Sequence, residues 1–208
     1  MSSYIPFPLV SDIVRRIGIS GFRNLGPLIV VGPEWVSIVF SDEVLKEVGL
    51  DEFITVSSLC IEGSPYQPFL LRCLQSGNNT AKYIEGLRLA AIVGPSVQAL
   101  NMLGEAAVHY LHSYFAFGIF YVLCVNPEDG RIILKKYLEM FSNFHKPVNC
   151  AEQVMTQIQD MAPTGQQLYR GYRILNSIPD CHLLHFGSLD VCPECFVLTY
   201  FFKIRALC

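Results

Sequence analysis

Short apolar stripes at helical spacing, cut again and again by glycine and proline, set the limits on what this chain can fold into. Ile13 and Ile17 recur at i, i+4. Val154, Ile158 and Met161 recur at i, i+4, i+7. Such stripes describe helices with one buried face. Fifteen glycines and twelve prolines divide the 208 residues, so no helix runs far before a breaker ends it. Strands alternating with helices are nowhere evident, and the expected class is all-α.

Composition fits that class. The chain is 51% hydrophobic and 16% charged, rich enough to bury a real core and too apolar for a disordered chain. A net charge of −3 gives no general electrostatic case for nucleic acid, and no basic run suits an anionic membrane surface. The longest apolar run, Phe115 to Val125, falls short of the ~20 residues that span a bilayer. A buried helix is expected there. Met1 to Leu9 lacks a basic n-region and carries Pro6 and Pro8, so no secretion signal is read. The expected location is cytoplasm, nucleus or both.

Three regions are expected. Residues 7–50 hold three or four short helices, a small bundle. Ser11-Asp12 and Ser41-Asp42 are the expected caps, and Pro33 suits a first turn. After a Pro/Gly stretch at Glu62–Pro68, residues 64–145 read as longer helices. They repeat weakly: Tyr83, Gly86 and Leu87 return as Phe115, Gly118 and Ile119 at an offset of 32, and Leu100 and Leu103 as Leu134 and Tyr137 at an offset of 34. These offsets lie near the roughly 34-residue period of helix-turn-helix repeats. Residues 146–208 form C-terminal helices and a cysteine-containing cap. "FVLTYFF", Phe196 to Phe202, is a strand or a short buried helix, since periodicity does not settle so short a run.

Asn78-Asn79-Thr80 has two readings. It is a glycosylation acceptor in form, and it is also a helix start, with Gly77 closing the helix before it. Without a secretory context the helix start is the expectation.

Few residues suggest chemistry. Gly-rich phosphate loops and a G-x-S-x-G elbow are absent from the sequence. His109 and His112 share a helix face without a partner set, and read as core or surface side chains. Asp51-Glu52 and Glu128-Asp129 read as solvated caps. Cys60, Cys73, Cys124 and Cys150 stand among apolar residues and read as core thiols. The sharpest spacing is Cys192-Pro193-Glu194-Cys195. With Cys181 and His185 it would offer a four-ligand zinc set. A redox CxxC would usually sit at a strand-helix junction, which the sequence lacks. Half-buried thiols pinning a C-terminal cap are the expected role. Trp35 reads as core, with an interface anchor as the alternative.

"FPLVSDIVRRIGISGFRNLGPLIVVGPEW", Phe7 to Trp35, resembles a degenerate F-box. "PFLLRCLQSGNNTAKYIEGLRL", Pro68 to Leu89, together with "FAFGI" and the terminal "VCPEC", is similar to the repeats and cysteine pair of a plant family of F-box proteins with Sel-type, tetratricopeptide-like repeats. The resemblance covers nearly the whole chain. It implies a non-catalytic substrate receptor of an SCF-type ubiquitin ligase. Pro8, Leu9, Ile13, Ile17, Leu25, Leu28 and Trp35 would then dock on the Skp-type adaptor, and the repeats would hold a protein target. No enzyme activity, nucleic acid or membrane partner is expected. A helical-repeat scaffold with a vestigial F-box is the alternative, followed by a zinc- or thiol-dependent protein using Cys192 and Cys195.

Overall fold

A computed structural model describes residues 6–161, 166–171 and 192–208. Every regular element among the described residues is helical, so the all-α expectation stands. Twelve α-helices are described. The chain divides into two units, Met1–Lys82 and Tyr83–Cys208.

The first unit contains α1 (Phe7–Ile19), α2 (Gly26–Ile29), α3 (Pro33–Val39), α4 (Asp42–Glu47), α5 (Asp51–Thr55) and α6 (Gln67–Gln75). Helix α1 begins at Phe7, six residues before Ile13, where the Ser11-Asp12 cap would start it. Pro6 takes the N-cap and Pro8 stands in the first turn, where a missing N–H costs nothing. Asp12 therefore lies inside the helix, where it pairs with Arg15 at 2.7 Å and Arg16 at 2.9 Å. Helix α3 starts at Pro33 as expected. Ser41 precedes α4, but its side chain makes no cap bond; its Oγ donates to the Ile38 carbonyl at 2.8 Å.

One close backbone approach fixes where α1 ends. The Gly49 N–H donates to the Gly18 carbonyl at 2.9 Å, and the Phe22 N–H to the Gly49 carbonyl at 3.1 Å. A Cβ on Gly49 would lie 2.5 Å from the Ile19 carbonyl oxygen, so no larger residue fits there. Around this strap Val14, Leu25, Val48, Leu50 and Phe53 are buried.

Helix α6 ends as its sequence predicts. Gly77 has φ +83°, and the Asn78 N–H returns to the Cys73 carbonyl at 3.0 Å. This left-handed turn satisfies the last carbonyls of the helix. Asn78 then caps α7 (Asn79–Arg88): its Oδ1 accepts from the Ala81 N–H at 3.0 Å.

The second unit contains most of α7, a π-helical turn at Leu89–Val93, α8 (Val97–Ala107), α9 (Leu111–Cys124), α10 (Pro127–Glu139), α11 (His145–Met161) and α12 (Pro193–Leu207). The π turn sends the Gly94 N–H to the Leu89 carbonyl. The Ala90 carbonyl is satisfied from elsewhere, by the buried Tyr169 hydroxyl at 2.6 Å. Helix α8 starts two residues beyond Pro95, capped by Ser96, whose Oγ accepts from the Ala99 N–H at 3.3 Å.

A glycine lies at a close approach both between α7 and α8 and between α9 and α10. A Cβ on Gly86 would meet Leu103 and Met102 of α8 at 3.1 Å. One on Gly118 would meet Leu134 of α10 at 2.7 Å. Each small residue lets its helix lie close to the next, so the repeat-like spacing in the sequence has a packing cause. Helices α11 and α12 complete the core against α9. The run Phe196–Phe202 lies inside α12, and the strand alternative falls away. Phe115 of α9 meets Phe196 and Tyr200 edge-on, at 5.8 and 5.1 Å between ring centres.

Candidate functional site

Helix α1 turns Val14 and Gly18 into the core and leaves a neighbouring stripe less covered. Leu9 is 56% exposed and Ile13 48% exposed. They stand one turn apart, and the stripe continues at half-buried Ile17. Phe7 at the start of the helix is 61% exposed. Single exposed apolar residues are ordinary on any protein; here they repeat at i, i+4 along one helix.

The other sequence-named residues of this unit fall in different settings. Pro8 is exposed, and Leu28 and Trp35 are half-buried. Leu25 is 1% exposed, and its methyl groups sit 3.5 Å from where a Gly18 Cβ would be. Its side chain holds the bundle together and does not face outward. Val30 and Val31, which the sequence reading passed over, are 85% and 62% exposed at the end of α2.

A second feature was also not anticipated. Phe22, Arg23, Leu25, Gly26, Ile29, Tyr66 and Phe69 line an open groove of about 450 Å³. Arg23 stands at its rim, its guanidinium 4.7 Å from the Tyr66 ring centre. It donates to Glu52 at 2.7 and 2.8 Å and to the Tyr66 hydroxyl at 2.8 Å. The hydrogen bonds from Arg23 hold the Glu52 carboxyl below its ordinary value, and those to Glu52 raise Arg23. Asp12 is lowered likewise, first by its hydrogen bond from Arg15. Arg23 and Tyr66 are 43 residues apart, so no local pattern announces their meeting.

The thiols expected in the core are mostly there. Cys60, Cys73 and Cys150 are buried, and Cys124 is half-buried. Burial pushes Cys73 up to about 12 and Cys124 up to about 11, which leaves both protonated and poor nucleophiles. His109 is exposed; His112 Nε2 lies 2.6 Å from Gln153 Oε1.

The terminal cysteine motif is only partly described. Cys192 and Cys195 open α12, whereas Cys181 and His185 lie outside the described residues. Among the described residues no group of three or more His, Cys, Asp or Glu is placed to hold a metal. No described helix is long and apolar enough to cross a membrane.

No family model, curated protein or solved structure matches this chain.

Proposed function

We propose that the chain is a non-catalytic binding subunit, a substrate receptor whose N-terminal bundle docks on the Skp-type adaptor of an SCF-type ubiquitin ligase. Its helix pairs would hold a protein target. The observation that carries this reading is the uncovered apolar stripe of α1, Leu9 and Ile13 with Phe7 beside them. Half-exposed leucine and isoleucine side chains each gain about 1 kcal/mol when a partner covers them. A receptor of this kind needs no reacting group of its own: it raises the local concentration of its target near the transfer machinery. Such a subunit would work in cytoplasm or nucleus.

Co-expression of the full chain with the adaptor tests the proposal. A stoichiometric complex on gel filtration is expected, and separate elution of the two proteins overturns the ligase reading. One observation favours a second reading, a repeat scaffold with a vestigial F-box: Leu25, one of the seven docking positions, is in the core. The scaffold reading expects separate elution.

A further inference from the structure

Two neighbouring cavities in the first unit are not explained by docking through the α1 stripe. One is the apolar groove walled by Phe22, Tyr66 and Phe69, of about 450 Å³. The other, of about 270 Å³, is polar and is lined by Ser20, Asn24, Asp51 and Glu52 among others. Phe22 and Arg23 line both, and so form a shared wall. That wall is held in place. Arg23 donates to Glu52 and to the Tyr66 hydroxyl. Phe22 packs on Phe53, Tyr66 and Phe69, with ring centres 5.0, 5.7 and 5.6 Å away. A preformed concave surface of this size, mostly aromatic with a few placed polar groups, is what a binding site requires. The charges on it do not cancel. Glu52 neutralises Arg23, whereas Asp51 is exposed and has no ion-pair partner among the described residues. One negative charge is left at the edge of the polar cavity.

We propose that the two cavities are one binding site for an extended peptide segment of a partner protein, with an apolar side chain in the groove and, two residues along, a lysine or arginine beside Asp51. Charge sets the sign of the partner. An acidic segment would bring its carboxylate against Asp51 and Glu52, with Arg23 already neutralised. A basic side chain instead meets the unpaired Asp51 carboxylate. Spacing sets the register. Side chains i and i+2 of an extended segment point the same way, about 7 Å apart, which suits two cavities on either side of one wall. The apolar side chain supplies most of the affinity, by leaving water for an aromatic pocket. The basic one supplies selection, through a charge contact that salt weakens. This site does not rest on the ligase reading: a scaffold that never meets the adaptor would bind the same segment.

The test titrates the full, isotope-labelled chain with capped heptapeptides and reads backbone amide shifts by NMR. The peptides are glycine and serine except for a central Phe-Gly-Lys, Phe-Gly-Glu or Gly-Gly-Lys. The Phe-Gly-Lys peptide should shift the Gly21, Gly26 and Asp51 amides. It should bind at least about fivefold tighter than Phe-Gly-Glu at low salt, a gap that narrows at about 0.5 M salt. It should also bind at least about fivefold tighter than Gly-Gly-Lys, which leaves the groove empty. Asp51→Asn should bring Phe-Gly-Lys and Phe-Gly-Glu to within about twofold of each other. Ile29→Gln, on the wall of the groove, should weaken Phe-Gly-Lys about fivefold. Val108→Gln, at a residue 83% exposed in the second unit, should bind as wild type does. The comparison of peptides on the wild-type chain decides the matter even if a variant does not fold. Equal or tighter binding of Phe-Gly-Glu overturns the proposal. So does equal binding of Gly-Gly-Lys, or no shift at the three amides. None of these results depends on the adaptor.

Discussion

Asn78 concentrates three tasks in one side chain. It is 2% exposed, its Nδ2 donates to the Leu45 and Val48 carbonyls at 3.0 Å each, and its Oδ1 caps α7. In the folded chain no part of this amide is open to a sugar, so the helix-start reading of the sequon is the one the fold uses. Asn78→Ala leaves two buried carbonyls and one N–H unsatisfied, and should cost about 2–3 kcal/mol in urea unfolding. Asn78→Asp keeps the cap but sets a carboxylate against two carbonyl oxygens. Its folded pKa is then raised, so its penalty is largest near neutrality and shrinks as pH falls through that value. Equal pH profiles for the two variants would refute this account. Glu52 has the reverse sign. Its folded pKa is depressed by Arg23, so the pair's contribution is present above the ordinary carboxylate value and lost as pH falls through the folded one. Arg23→Gln should remove that acid-side slope of stability, measured from about pH 5 to about pH 3. An unchanged slope would mean that the pair is not held in solution.

At the scale of elements, glycine decides how closely helices meet. A Cβ on Gly130 would lie 2.5 Å from the Val122 backbone nitrogen and 2.8 Å from its Cα, across the α9–α10 contact. The nearest atom to a Cβ on Gly118 is instead Leu134 Cδ2, the end of a flexible side chain. A side chain can rotate away, whereas a packed backbone must shift. Gly130→Ala should therefore destabilise by about 2–3 kcal/mol, and Gly118→Ala by only about 1 kcal/mol. Thermal or urea unfolding that ranks them the other way would show that the contact relaxes differently. Helix starts were the less legible part. Proline and serine both begin helices, and near α1 the two signals competed: Pro6 and Pro8 won over Ser11-Asp12, because Asp12 found arginine partners one turn on. At α8 Ser96 takes the N-cap, where its hydroxyl reaches the Ala99 N–H.

For the whole molecule the question is which apolar side chains build the interior and which are left for a partner. Leu9→Asp with Ile13→Asp should leave the unfolding free energy within about 0.5 kcal/mol of wild type. The same pair should abolish any adaptor complex. Leu25→Asp, by contrast, places a charge in the core and should unfold the first unit, at more than about 4 kcal/mol. Unfolding of the double variant, measured by circular dichroism, would mean that the α1 stripe is structural.

The sequence by itself determined the helical class, the breakpoint at Gly77, the first turn at Pro33 and the repeated small residues at Gly86 and Gly118. These follow from backbone geometry and local periodicity, which act over a turn or two. It also marked Cys192 and Cys195 as a pair, since their spacing is local. Only the tertiary structure decided that Leu25 is core while Leu9 and Ile13 are uncovered, although all three are apolar residues on adjoining elements. It alone brought Arg23, Glu52 and Tyr66 together, and put the Asn78 amide on the Leu45 and Val48 carbonyls. Burial depends on which other segments arrive at a residue's face, and those partners lie about 30 residues or more away along the chain, beyond the reach of any local pattern.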